Sequence, residues 1–226
     1  MKFKLENNPI LAPYQIKILK LFFKSVLGKT FFLTGGTALA AFYLAHRESK
    51  DLDLFSIDAF DGRRLDETIE GIARDMKARV RVKVKSETYN EIYLENQDEG
   101  WQQRIDIVKE QPKHFGKIET VEEIRVDALV NIATNKILAM YGRFEPKDYI
   151  DLYMILTRTE LKFDELFELA KQKDAGLFEF YFANLILGVE KIETWPVMKV
   201  KLNPGQMKKF YQDLARELLL RVKPKK

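Results

Sequence analysis

Asp51 and Asp53 stand two residues apart in Asp51-Leu-Asp-Leu-Phe55, with thirteen residues between them and the run Gly35-Gly36-Thr37. On a strand the period of two puts both carboxylates on one face and Leu52 and Leu54 on the other. Two carboxylates so placed repel each other unless a cation lies between them. Mg²⁺ is the natural one, since it takes hard oxygen ligands and completes its shell with water and substrate phosphate. Upstream, Gly35 and Gly36 carry no side chains, so the backbone there can turn tightly and come close to a ligand. Thr37 suits the N-cap of a helix over residues 38–45. That start would aim backbone N–H groups and the positive end of the dipole at the turn, where a phosphate fits. A metal-binding carboxylate pair beside a phosphate cradle is equipment for chemistry at phosphorus.

Four further residues could join the pair. Gln102-Gln-Arg-Ile-Asp106-Ile-Val108 sets one aspartate among apolar strand residues, where a half-buried carboxylate needs a cationic partner. On a helical wheel drawn from Val126, the residues Leu129, Val130, Ala133, Ile137, Met140 and Tyr141 fill one arc. Lys136 lies at the edge of that arc, so its amine points to the interior or a cleft. Asp148 and Asp151 share a face with Leu152 and Ile155 on the next helix. Each feature also has a plainer reading. Gly-Gly-Thr is a common turn and Asp-x-Asp a common solvated strand end. Lys136 can be a snorkelling surface lysine, and Asp148 and Asp151 can pair with Arg143 and Lys147. Between turn and strand, His46 suits a loop-ordering role and Arg47 a phosphate contact. It is the joint occurrence, in chain order, that favours a site.

The elements that must hold these residues follow from periodicity. Residues 13–27 have apolar side chains at helical spacing and end at Gly28; residues 31–33 form a short buried strand. A helix over 63–77 is followed by strands over 79–85, 89–95 and 102–108, the last two joined by Asn96-Gln-Asp-Glu-Gly100, which suits a hairpin turn. From Val121 onward the pattern is helical, over about 122–141, 146–156, 163–172, 178–187 and 205–222. Apolar periodicity lapses between Pro112 and Val121, which implies an α+β domain over 1–115 with a mixed sheet, then a helical domain over 116–226, with the site in the cleft between them. The strand bearing Arg79, Arg81, Lys83 and Lys85 presents either a solvated face or a footprint for an RNA backbone, and a basic tail closes the chain at Lys223 to Lys226.

Composition frames these readings without sharpening them. The chain has 226 residues, is 46% hydrophobic and 32% charged, and carries a net charge of +4. No run reaches the roughly 18 apolar residues of a membrane span, and the N-terminus lacks the apolar core of a secretory signal. A cytoplasmic address is expected. The absence of cysteine excludes disulfides, thiolate metal sites and cysteine nucleophiles.

The pattern Gly-Gly-Thr, thirteen residues, Asp-Leu-Asp, with His46-Arg47 and Ser49 between, resembles the nucleotidyltransferase superfamily that includes DNA polymerase beta. More narrowly it resembles the AbiEii/AbiGii toxin family of abortive-infection and type IV toxin–antitoxin systems. The resemblance continues through Lys136-Ile-Leu-Ala-Met-Tyr-Gly-Arg143 and Pro146-Lys-Asp148-Tyr-Ile-Asp151-Leu-Tyr, with Lys147 where that family usually carries Arg, and covers roughly residues 10–160. It implies a polymerase-beta-like fold and transfer of a nucleoside monophosphate from an NTP to a hydroxyl, with release of pyrophosphate. By resemblance Asp106 becomes the third metal ligand and the base for the incoming hydroxyl, with Mg²⁺ or Mn²⁺ as cofactor. Lys136, and one of Asp148 and Asp151, are assigned to the nucleotide. The acceptor so implied is a tRNA 3′ end or a protein side chain, and the partner an antitoxin. A small-molecule acceptor is the second enzyme reading. A non-catalytic module that binds NTP or a partner is the third, against which the intact Asp51, Asp53 and Asp106 speak.

Overall fold

The computed structural model describes residues 4–110 and 113–222. The chain divides into two compact units, Met1–Ala45 with Ser49–Leu129, and His46–Glu48 with Val130–Lys226. The short His46–Glu48 segment thus belongs with the later half of the chain although it lies inside the earlier half.

The first unit is built on a mixed sheet. Its elements in chain order are α1 (Pro13–Lys24), β1 (Phe31–Thr34), α2 (Gly35–Ala38), β2 (Leu52–Ser56), α3 (Gly62–Asp75), β3 (Arg79–Lys85), β4 (Tyr89–Asn96), β5 (Trp101–Lys109), β6 (Glu119–Val121) and β7 (Ile124–Val126). The spatial order is β3-β4-β5-β2-β1-β7-β6. Pairs β2/β5 and β1/β7 run parallel and the others antiparallel. Alternation decides which face is covered. Leu52, Leu54, Ile105, Ile107, Ile92 and Leu94 are buried on one face, and α1 lies against it, with Phe22 meeting the Phe31 ring edge-on at 5.5 Å between centroids. Full burial of one such phenylalanine contributes about 1.5–3 kcal/mol. The opposite face carries Asp53, Asp106 and Glu91.

Two local expectations are corrected here. The helix expected from residue 122 begins at Leu129, because a hairpin precedes it. Glu122 and Glu123 take positive φ of 45° and 77° and form a tight turn, and Ile124 and Val126 are buried on either side of Arg125, the period of a strand. Since β7 pairs with β1, the sheet runs past residue 115 and the first unit ends at Leu129. The helix after the glycines also starts earlier than expected, at Gly35, with Thr34 at the cap position. It continues as a π-helical turn over Leu39–Leu44.

The second unit is helical: α4 (Leu129–Gly142), α5 (Pro146–Arg158), α6 (Phe163–Lys173), α7 (Glu179–Ile186) and α8 (Pro204–Val222). Proline at the first turn suits α5, since its missing N–H is one that a helix start leaves unpaired anyway. Tyr149 and Tyr211 pack edge to face at 5.4 Å, and the Tyr211 hydroxyl donates to the Tyr149 carbonyl at 2.6 Å. Among the described residues no helix is long and apolar enough to cross a membrane. The Lys223 to Lys226 tail lies outside the described residues.

Candidate active site

The glycine turn is shaped by the aspartate strand. Gly35 has φ +68°, and a Cβ there would fall 2.0 Å from Asp53 Oδ2. Only glycine therefore lets the Asp53 carboxylate lie directly against the start of α2. Thr37 is not the N-cap. It sits inside the first turn, fully buried, and its hydroxyl donates to the Asp51 carbonyl with the Ser49 hydroxyl 2.9 Å away. The preceding carbonyl, that of Lys50, accepts from Gln15 at 2.8 Å and Gln103 at 2.7 Å. Asp51 is thus held through the backbone on both sides.

Register then gathers the carboxylates. Thr34 pairs with Asp53, Asp53 with Asp106 and Asp106 with Glu91, so one row of partners crosses β1, β2, β5 and β4. Paired residues of neighbouring strands project from the same face, and Asp51, two residues before Asp53, falls on it too. Burial pushes the Asp106 carboxyl up from its ordinary value, the charges of Asp51 and Glu91 push the same way, and Arg104 opposes them. Arg104 forks that carboxylate, Nε to Oδ1 at 3.0 Å and Nη2 to Oδ2 at 2.8 Å. Glu91 is pulled down to about 2 by hydrogen bonds from Tyr93 and Lys83. The donor set, hard carboxylate oxygens on one face, fits Mg²⁺ or Mn²⁺. Among the described residues, no three His, Asp or Glu side chains are drawn together as a metal cage.

The other sequence-singled residues meet in the second unit, as a buried ion cluster. Asp151, with no exposed side-chain surface, accepts from His46 Nε2 at 2.7 Å, Arg47 Nε at 2.6 Å and Arg47 Nη2 at 2.7 Å. Lys136 Nζ lies 2.7 Å from Asp151 and 2.8 Å from Asp148, and Arg143 Nε reaches Asp148 at 3.0 Å. Burial alone would push the Asp151 carboxyl up, but Lys136 and Arg47 together hold it well below the usual carboxylate range. Burial likewise works against the charged amine of Lys136, and the two aspartates overcome it, leaving Lys136 above its ordinary value. Arg47 is 3% exposed, and its fork is closed on Asp151 where the sequence suggested a phosphate contact. The His46–Glu48 segment is held in this unit by a bridge from Arg47 to Met198 and by bonds between Glu48 and Val197 and between Lys199 and His46.

Two residues beside these groups are not singled out by the sequence pattern. Arg104 was legible, two residues before Asp106 and so on its face. Asp127 was not: it is fully buried, accepts from Thr34 Oγ1 at 2.5 Å and lies 2.8 Å from His114 Nε2, partners 93 and 13 residues away along the chain. The basic edge strand is largely self-neutralised. Arg81 pairs with Glu95, Lys83 with Glu91 and Lys85 with Asp66.

Over residues 17–217 the sequence matches the family described as nucleotidyl transferase AbiEii toxin, type IV TA system. No curated protein matches it. Among solved structures it is similar to a protein of H. pylori assigned as a nucleotidyltransferase, with a TM-score of 0.62 and 14% identity over 92% of this chain and 93% of that one. JHP933 of Helicobacter pylori gives a TM-score of 0.62 at 13% identity, covering 92% and 90%. MenT4, a nucleotidyltransferase toxin of Mycobacterium tuberculosis H37Rv, gives 0.52 at 12%, covering 91% and 81%. At these identities the structural likeness establishes the fold.

Proposed function

Because the chain belongs to the AbiEii nucleotidyltransferase toxin family of type IV toxin–antitoxin systems, we propose that Asp51, Asp53 and Asp106 bind a divalent metal for transfer of a nucleoside monophosphate from an NTP to a hydroxyl. The observation that carries this is the Asp53 carboxylate lying directly against Gly35 while its register partner is Asp106. In this reading the metal ligands and the phosphate cradle adjoin one another.

When bound, Mg²⁺ or Mn²⁺ supplies Lewis-acid neutralisation of the charge that develops around the α-phosphorus. The Gly35-Gly36-Thr37 turn receives the phosphates on backbone N–H groups that a helix start leaves without intrahelical partners. Asp106 accepts the proton of the acceptor hydroxyl on a carboxylate oxygen. The hydroxyl oxygen bonds to the α-phosphorus as the bond to the pyrophosphate oxygen breaks. Lys136, its amine oriented by Asp148 and Asp151, is assigned in this reading to the phosphates of the NTP. Lys136→Met is expected to weaken NTP binding about tenfold, the scale of one charge-assisted hydrogen bond, with nucleotide-free Mn²⁺ affinity unchanged. Calorimetry with a non-hydrolysable NTP checks this, and unchanged nucleotide affinity returns the lysine to a purely structural role.

The acceptor is the 3′ end of a tRNA or a protein side chain, the setting the cytoplasm, and the controlling partner an antitoxin. Incubation with each radiolabelled NTP, Mg²⁺ or Mn²⁺ and total tRNA is expected to label the RNA with one nucleotide preferred. Label in protein instead moves the acceptor there. Turnover that ignores both supports a small-molecule acceptor, and no turnover with any NTP overturns the enzymatic reading. The edge strand should matter little to RNA. With Arg81, Lys83 and Lys85 already paired, Arg81→Ala/Lys83→Ala is expected to leave the salt dependence of tRNA binding unchanged. A slope flattened by about one log-log unit per lost contact would assign phosphates to that strand.

A further inference from the structure

Arg104 and Asp106 sit two apart on β5, so their side chains leave the same face of the sheet. Arg104 takes both oxygens of the Asp106 carboxylate, while its Nη2 also lies 3.3 Å from the Tyr89 hydroxyl and 3.6 Å from Glu91 Oε2. Of the three aspartates proposed for the metal, one is therefore already forked by an internal cation. The arginine side chain is 34% exposed, so it is not locked in place by packing. Glu91, one strand over and in register with Asp106, already accepts from Tyr93 and Lys83 on Oε1, and its Oε2, 3.6 Å from Arg104 Nη2, is the oxygen that can receive the guanidinium once it leaves Asp106.

We propose that Arg104 is the resident counter-cation of Asp106, and that a divalent metal binds Asp51, Asp53 and Asp106 only by displacing its fork, so that Arg104 sets the metal affinity. This rests on the metal-binding reading above. The physical basis is geometric as well as electrostatic. A planar guanidinium matches both oxygens of one carboxylate, whereas an ammonium on the same strand keeps the charge but cannot make the fork. A metal that needs either Asp106 oxygen must break a bidentate pair, and the guanidinium then moves to Glu91 without leaving the face.

The test is Mn²⁺ binding to the full chain without nucleotide, followed by electron paramagnetic resonance and calorimetry at fixed salt, in wild type, Asp53→Asn, Arg104→Lys and Arg104→Met. Asp53→Asn is expected to abolish binding. Arg104→Lys should bind about fivefold tighter than wild type, the scale of a partly exposed, charge-assisted pair, and Arg104→Met tighter still. If Asp53→Asn binds as wild type does, the metal is not at these aspartates and both readings fall. If Asp53→Asn loses Mn²⁺ but Arg104→Lys matches wild type, the displacement proposal falls alone, even where Arg104→Met tightens binding, since removal of a nearby positive charge then accounts for the change. Circular dichroism reports whether each variant folds. Should Arg104→Met fail to fold, Arg104→Lys decides the question, because it keeps a cation beside Asp106.

Discussion

Asp53→Ala is expected to reduce nucleotidyl transfer by about three orders of magnitude or more, since a metal site supplies several kcal/mol of charge stabilisation in the transition state. Of the three aspartates Asp53 is the most exacting position. It is the register partner of Asp106, and its carboxylate lies against Gly35 so closely that no side chain fits there. The fold should survive the change, because Leu52 and Leu54 on the opposite face, not Asp53, fill the core. The assay is incorporation of labelled nucleotide, with far-ultraviolet circular dichroism as the control for folding. Transfer within tenfold of wild type would remove Asp53 from the metal site.

Asp151→Ala should act in the opposite way, on stability first. Asp151 is the shared acceptor for His46, Arg47 and Lys136, and none of its side chain is exposed. Removing it leaves buried cations without that acceptor, and breaking a buried pair from one side costs about 3–5 kcal/mol. A urea titration is expected to show a loss of that size; a loss below about 1 kcal/mol would mean the cluster is not what holds this unit together. The pH dependence has a definite sign. The Asp151 carboxyl is held well below its ordinary value of 3.8, so the unfolded chain binds the proton more tightly than the folded one. The stability that Asp151 contributes is complete above the unfolded value and is lost as pH falls below it. Wild type should accordingly lose stability more steeply than Asp151→Ala on acidification below about pH 4.

Short-range constraints carried most of what could be read in advance. Asp51 and Asp53 share a face because strand side chains alternate, whatever surrounds them. Gly35 had to be glycine if the backbone was to turn with positive φ, and it does. The strands around residues 80, 92 and 105 and the helices after residue 146 also lie where periodicity put them, since an amphipathic pattern is recorded within each element. The same rule puts Arg104 on the face of Asp106, two residues along the strand. The hairpin at Glu119 to Val126 escaped because its strands are three residues each, too short for a period of two to stand out from the helical pattern that follows.

The sequence by itself determined the glycine turn, the acidic strand, a third aspartate in a later strand and the family to which they belong, because each is written in neighbouring residues. Only the tertiary structure decided which carboxylates stand side by side. Strand register depends on pairing between segments far apart in the chain, and it is what set Asp53 beside Asp106 and Glu91 beyond them. Tertiary structure also decided that Arg47 closes on Asp151, 104 residues away, where the sequence offered a cation near a glycine turn. A buried charge takes the partner that folding brings within hydrogen-bond reach, and spacing along the chain carries no record of that distance.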